Sequence, residues 1–355
     1  MYLLSKRHLF FALIFNSVFS IGQEFTPIVT QFSKKDYNAS NQNWSVGQAK
    51  DGVMYFGNNQ GLLQFDGSLW ETYKMPGKKM VRSLMVGKEN KIFVGSFEEF
   101  GFYEKNETGQ LIYTSLSAKL QHYKMQNDEI WNILDFNGTI IFQSFTSYFT
   151  FRNGEVKGFR FPFTVLFFNI YNNRIFTHTD VYGFSYFDIK SNTIKPVINN
   201  ILKSPVLSVL PFDKTHALLV TQSDGLFLFN GTNITPFKTD ADDELKRVEI
   251  NRANISPDGL ILLGTILNGV TAINRFGQKR WTLNTTNVLQ NNTVLGMFFD
   301  RDNNLWLSLD KGISLLQLNS SIRYIHSFNP SVGSIYSLSY DAQNLLMHIL
   351  GVKNR

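Results

Sequence analysis

The sequence predicts an all-β chain, a seven-bladed β-propeller of four-stranded antiparallel blades preceded by a signal peptide. Three observations carry that prediction. One unit recurs along the chain with the period of a propeller blade, ~40–45 residues. Its apolar residues come in short runs bounded by Asn-Gly or Asp-Gly, instead of recurring at i, i+3 and i+4 over a helical length. The 33 Phe and 14 Tyr also favour strands, because aromatic side chains fit a pleated, half-buried surface.

Taken in order, residues 1–22 stand apart. Lys6, Arg7 and His8 form a positive start, Leu9 to Phe19 a nearly unbroken apolar stretch, and Ser20, Ile21 and Gly22 a short run ahead of Gln23 with small residues at either end. This is the layout of a secretory leader cleaved near Gly22, and it predicts a periplasmic or secreted protein. The apolar stretch is shorter than the ~20 residues a membrane span needs, and an uncleaved anchor is the alternative. No Cys follows it to carry a lipid.

Residues 23–333 hold the seven units. The first runs from Trp44 through an Asp51-Gly52 turn to an apolar stretch ending at Gly57. Asn58 to Gln60 then lead into a Gly-Leu-x-x-Phe element at Gly61 and a second turn at Asp66-Gly67. The start of that element anchors the units near Gly61, Gly101, Ser147, Gly183, Gly225, Gly269 and Gly312, spaced by 40, 46, 36, 42, 44 and 43 residues. Asp51-Gly52, Asp66-Gly67, Asn137-Gly138 and Asp258-Gly259 supply the positive φ of tight hairpins. The anchor glycine is expected where a side chain would obstruct the backbone or a neighbouring blade. Pro27 to Phe32 could lend an outer strand to the last blade and close the ring. Residues 334–355 begin as an eighth unit, since Gly333 to Leu345 reads as a strand and turn, but the next apolar run and anchor do not follow. They are expected to be a truncated eighth unit or a closing tail, or else the opening of a second ring.

The stretch from Asp300 to Ile313 resembles the two-component-regulator propeller repeat, whose consensus is roughly D-x-x-G-x-L-W-I-G-T-x-x-G-L, within the broader WD40/YVTN-like propellers. Asn43 to Trp70 resembles the opening of the first propeller in large sensor–regulators of the Bacteroidetes group. The resemblance covers residues 24–340, strongly in units one and seven and weakly in three to five. It implies the periplasmic ligand-sensing propeller of a transmembrane transcriptional regulator or two-component sensor. In such proteins a triple-tyrosine sandwich, a membrane span and a histidine kinase or helix-turn-helix (LuxR-type) effector follow. On that reading the chain is a truncated version lacking its sandwich and effector domains, which become its partners, with a homodimer as a further option. The ligand implied is a small molecule, oligosaccharide or peptide, whose binding would bias the packing of propeller against partner domain.

The residues themselves narrow the chemistry. Removing the leader's two cations from a net charge of +6 leaves +4, too dispersed to suggest a direct nucleic-acid partner. The absence of cysteine excludes a disulfide framework, thiolate catalysis and Cys-ligated metal. The six His are isolated, and there is no Gly-x-Ser-x-Gly elbow or phosphate loop, so no metal, cofactor or catalytic constellation is expected. Asp300 and Asp302 fall in a turn, and Asp240 to Arg247 reads as a solvated linker. Loops joining the second and third strands of each blade share a face with the blade-to-blade connections, where a propeller's central depression opens. Their candidate ligand-binding residues are Asn59, Phe97, Glu98, Glu99, Phe100, Asp180, Gln222, Asn268 and Lys311. Phe97 and Phe100 bracketing two Glu suit a sugar or peptide, although the same rings could simply plug the ring or pack on a neighbouring loop. The alternative function is a free exported enzyme of polysaccharide lyase or glycoside hydrolase type, which needs converging acid and base groups.

Overall fold

A computed structural model of the chain describes residues 26–198, 200–320, 332–341 and 346–353. The leader assigned to residues 1–22 lies outside them. Residues 27–323 form one compact unit of seven four-stranded antiparallel sheets. Six follow the chain in order, at 43–73, 83–115, 132–160, 169–196, 206–237 and 250–283; the seventh combines strands within 294–317 with an N-terminal strand.

Blade one shows how the sequence builds the unit. Its innermost strand, Asn43–Gln48, turns at Asp51-Gly52 into Met54–Asn58, which pairs with Gly61–Phe65 and then the outermost Trp70–Tyr73. The second strand is buried along its whole length, whereas the outermost has exposed central residues, Glu71 and Thr72, between half-buried ends. The reason is position, since a sheet standing between two blades is covered on both faces and needs a continuous apolar run. Leu305–Leu309 is buried throughout for the same reason in blade seven. The predicted turns take positive φ: Gly52 at 93°, and Asn137 and Gly138 at 53° and 79°.

The core is distributed rather than central. Seven apolar clusters fill the seven seams between neighbouring blades. In the seam between blades seven and one, Trp306 and Ile313 pack with Val46, Phe56 and Leu63. No blade has a core of its own, which couples the blades to one another.

The ring is closed by its own N-terminus. Ile28–Phe32 pairs antiparallel with Ile313–Gln317, from Ile28 opposite Gln317 to Phe32 opposite Ile313, and becomes the outermost strand of blade seven. Phe32 then lies 5.4 Å from the rings of both Phe65 and Trp70 and is stacked 5.8 Å from Trp306. Ser33 caps the short helix Lys34–Tyr37 that leads into blade one.

The anchor positions lie at or just before the start of the third strand, except Gly101, which sits inside Glu99–Lys105. Gly61 needs both of glycine's freedoms: its φ is 130°, and a Cβ there would collide with the carbonyl oxygen of Tyr73. Ser147 tolerates a side chain because it lacks a positive φ, and its hydroxyl bonds that of Tyr123 at 2.5 Å. One local reading changes. Residues read as a solvated linker before blade six form a helix, Asp242–Val248, with Leu245 fully buried beside Ala241. Its acidic first turn and basic last turn match the helix dipole, and the buried leucine gives it an anchor that charge counting misses.

Elsewhere, Val332–Asp341 pairs antiparallel with Leu346–Lys353. The strand expected from Gly333 is therefore followed by a second strand, and the turn expected between them lies outside the described residues.

Candidate functional site

A cavity of about 260 Å³ occupies the axis of the ring, and every blade contributes to it near the start of its innermost strand. The wall is built by a recurring backbone device. In blades one, five, six and seven the innermost strand carries an extra residue relative to its neighbour, at Trp44, Leu207, Asn251 and Leu295. A bulge re-aims side chains without ending the sheet. In blades two and three the matching residues, Arg82 and Trp131, sit just before the first ladder pair, held by backbone bonds of 2.8 Å to Gly95 and Gln143.

These positions converge on one another. The Arg82 guanidinium lies between two indoles, its Cζ 3.6 Å from the Trp44 ring centre and 4.7 Å from that of Trp131. Its Nε donates to Glu129 at 2.9 Å. Such cation–π contacts contribute ~0.5–2 kcal/mol depending on solvation. The Trp44 indole N–H donates to Asn59 at 2.7 Å, and Asn59 donates in turn to Gln42 at 3.0 Å. Phe145 stacks on Trp131 at 5.5 Å and meets Phe167 edge-on at 5.5 Å. Across the axis, the Arg252 guanidinium sits 4.8 Å over Phe167. Rings and guanidinium groups thus touch in turn from Trp44 through Arg82, Trp131, Phe145 and Phe167 to Arg252, while Leu207 and Ser208 line the cavity from blade five.

Polar side chains on the inner strands tie several blades to the next. Ser83 donates to the Ile130 carbonyl at 2.7 Å, Asn132 to that of Phe168 at 2.9 Å, and Asn251 to that of Val294 at 2.7 Å. The residues lining the cavity include no Asp, Glu or His.

The nine residues singled out from the sequence occupy different situations. Asn59 reaches the cavity wall by orienting Trp44. Phe97 is exposed, and its backbone bridges to Glu129, the partner of Arg82. Glu98, at φ 49°, accepts from the Asn127 backbone at 2.7 Å. Glu99 opens a strand and accepts from the hydroxyls of Tyr113, Ser115 and Ser117, each at 2.8 Å. Burial and the adjacent Glu99 charge push the Tyr113 phenol up. Phe100 is not an exposed loop residue: it is fully buried, 4.6 Å from Phe142 and 4.9 Å from Phe149, in the seam between blades two and three. The strand begins at Glu99, and that places Phe100 inside. Asp180 accepts from the Thr164 backbone at 3.2 Å, and Asn268 donates to Glu244 at 2.8 Å. The Gln222 carbonyl accepts from the Ile250 backbone, and Lys311 is exposed. None of the nine lines the cavity directly. The wall residues Trp44, Arg82, Trp131 and Arg252 open or nearly open their repeats, so aligning the first strands of the units would have found them.

No protein-family model matches the chain, and no curated protein matches it in sequence. Solved structures with a similar fold include the extracellular domain of the hybrid two-component system BT4673 from B. thetaiotaomicron, at TM-score 0.65 and 17% identity. That match covers 90% of this chain and 44% of the other. The extracellular domain of the hybrid two-component system BT3049 from the same organism matches at TM-score 0.60 and 15% identity, over 93% of this chain and 49% of that one. Virginiamycin B lyase from Staphylococcus aureus matches at TM-score 0.65 and 11% identity, over 83% of this chain and 100% of that one. The chain spans less than half the length of the two sensor domains. At these identities the likeness establishes the propeller fold, which sensors and an enzyme share.

Proposed function

We propose that this chain is an exported, ligand-recognising propeller that serves as the sensing domain of a transmembrane regulator, with the axial cavity as its recognition site. The observation that carries this reading is the composition of the wall. Aromatic rings, amides and two arginines surround the cavity, and its lining residues include no carboxylate or imidazole to act as acid or base. The similar extracellular domains of two-component systems support the sensing role. Occupancy of the cavity would bear on all seven inner strands at once, and so on how the ring packs against an effector-bearing partner.

The test is a thermal-shift screen of the full chain against small organic molecules, oligosaccharides and short peptides, repeated with Trp131→Ala. A ligand at a hundred times its Kd stabilises by ~2.7 kcal/mol. The expected result is a stabilising ligand whose effect disappears in the variant. Conversion of a stabilising compound into product would establish a lyase or hydrolase instead, and an undiminished shift in the variant would place recognition elsewhere.

A further inference from the structure

The two arginines of the cavity are not equivalent. Arg82 is neutralised by Glu129 and enclosed between its two indoles. Arg252 has no such partner: among the described residues no carboxylate forms an ion pair with it. Of its five N–H donors, one is given to a protein acceptor, the carbonyl of Asn251 at 3.0 Å. Arg252 nonetheless lines the cavity, its guanidinium poised over Phe167. Burial pulls it down to about 10, which leaves it charged at neutral pH but poorly solvated.

A desolvated cation without a counter-charge is costly to keep, and a carboxylate is its best-matched acceptor because the two planar groups form paired hydrogen bonds. Beside it stand the rings of Phe167 and Trp131, braced by Phe145, which suit the uncharged body of a small molecule. The volume of about 260 Å³ lies just under the ~300–1,000 Å³ of pockets that hold drug-sized ligands, so the occupant is small.

We infer that the axial cavity is a receptor site for a small organic carboxylate, with its anionic end on Arg252 and its body against Trp131 and Phe167. This rests on the cavity being the recognition site and adds the class of ligand. The same chemistry is offered by an aromatic acid and by a sugar acid, and the two differ only in the body that the wall must accept.

The experiment is calorimetric titration of the full chain with benzoate and glucuronate, each against its uncharged counterpart, benzamide and glucose, and with inorganic phosphate. The expected result is that at least one carboxylate binds at least tenfold more tightly than its neutral counterpart and than phosphate. Arg252→Gln should lose that preference, and Arg252→Lys should recover it in part. Binding of benzoate alone assigns an aromatic acid, and binding of glucuronate alone a sugar acid. A neutral compound that binds as tightly as its acid and is untouched by Arg252→Gln overturns the carboxylate while leaving the cavity as the recognition site. Phosphate binding as tightly as either acid, or no binding by either acid, also overturns it. Acid binding that is lost in Trp131→Ala but unchanged in Arg252→Gln overturns the placement of the anionic end on Arg252.

Discussion

Phe32→Ala tests whether the N-terminal strand closes the ring. A Phe side chain buries ~150–250 Å² when fully enclosed. Phe32 is half-buried, so it contributes about 100 Å², which at ~25 cal/mol/Å² is about 2.5 kcal/mol. Its stacking on Trp306 adds ~0.5–1.5 kcal/mol. The variant should therefore lose about 3–4 kcal/mol. At the low end of ~2–4 °C per kcal/mol for larger domains, its Tm should fall by about 6–8 °C. Differential scanning calorimetry reads the shift, and limited proteolysis reads whether residues near Ile28 become cleavable before the rest. Ile112→Ala is the control, since Ile112 is largely exposed on the outermost strand of blade two and should stay within ~0.5 kcal/mol. If Phe32→Ala melts within about 1 °C of the parent and its N-terminus is no easier to cut, blade seven does not depend on this strand and the reasoning fails.

Gly61→Ala should cost about 2–5 kcal/mol, combining ~1–2 for positive φ with ~1–3 for the collision at Tyr73; Gly109→Ala, with positive φ and open space, should cost only the first part, and urea denaturation distinguishes them. Arg82→Met should destabilise by about 2–4 kcal/mol, because it removes the charged hydrogen bond to Glu129 and the contacts with Trp44 and Trp131, and chemical unfolding measures it. Burial raises the phenols of Tyr55, Tyr103, Tyr113 and Tyr148, and that of Tyr73 to about 12. Raised values favour the protonated folded state, so their contribution is intact below the unfolded value of ~10 and is lost as pH climbs toward and beyond 12. Tyrosinate absorbance in alkali should therefore rise together with loss of structure, and ionisation of these phenols in a still-folded protein would contradict this. Deleting residues 1–22 should abolish export, and the exported chain should begin at Gln23 by N-terminal sequencing.

How much was legible depended on the range of each interaction. The blade repeat could be read because a hairpin is written in neighbouring residues: Asn137-Gly138 carries its own positive φ, and Leu305–Leu309 its own two-sided burial. The closing role of Pro27 to Phe32 could be raised from its apolar composition alone. Its choice of Ile313–Gln317 as partner came from the ring bringing residues nearly three hundred apart to one edge. The helix at Asp242–Val248 was masked by its charge, because one buried leucine among six other residues gives no periodic signal.

The axial cavity lay furthest from view. Loop composition pointed to the face of the blade-to-blade connections, but Phe100 went to a seam and Asn59 to a supporting role behind Trp44. Strand boundaries shift by a residue or two, and each shift moves a side chain to another surface. The sequence by itself determined the blade, its turns, its period and the number of blades, since these follow from local backbone preference and the apolar runs of each unit. Only the tertiary structure decided that Trp44, Arg82, Trp131, Phe167 and Arg252 share one cavity wall. They come from five different blades, and closing the ring is what places the starts of their strands around a common axis.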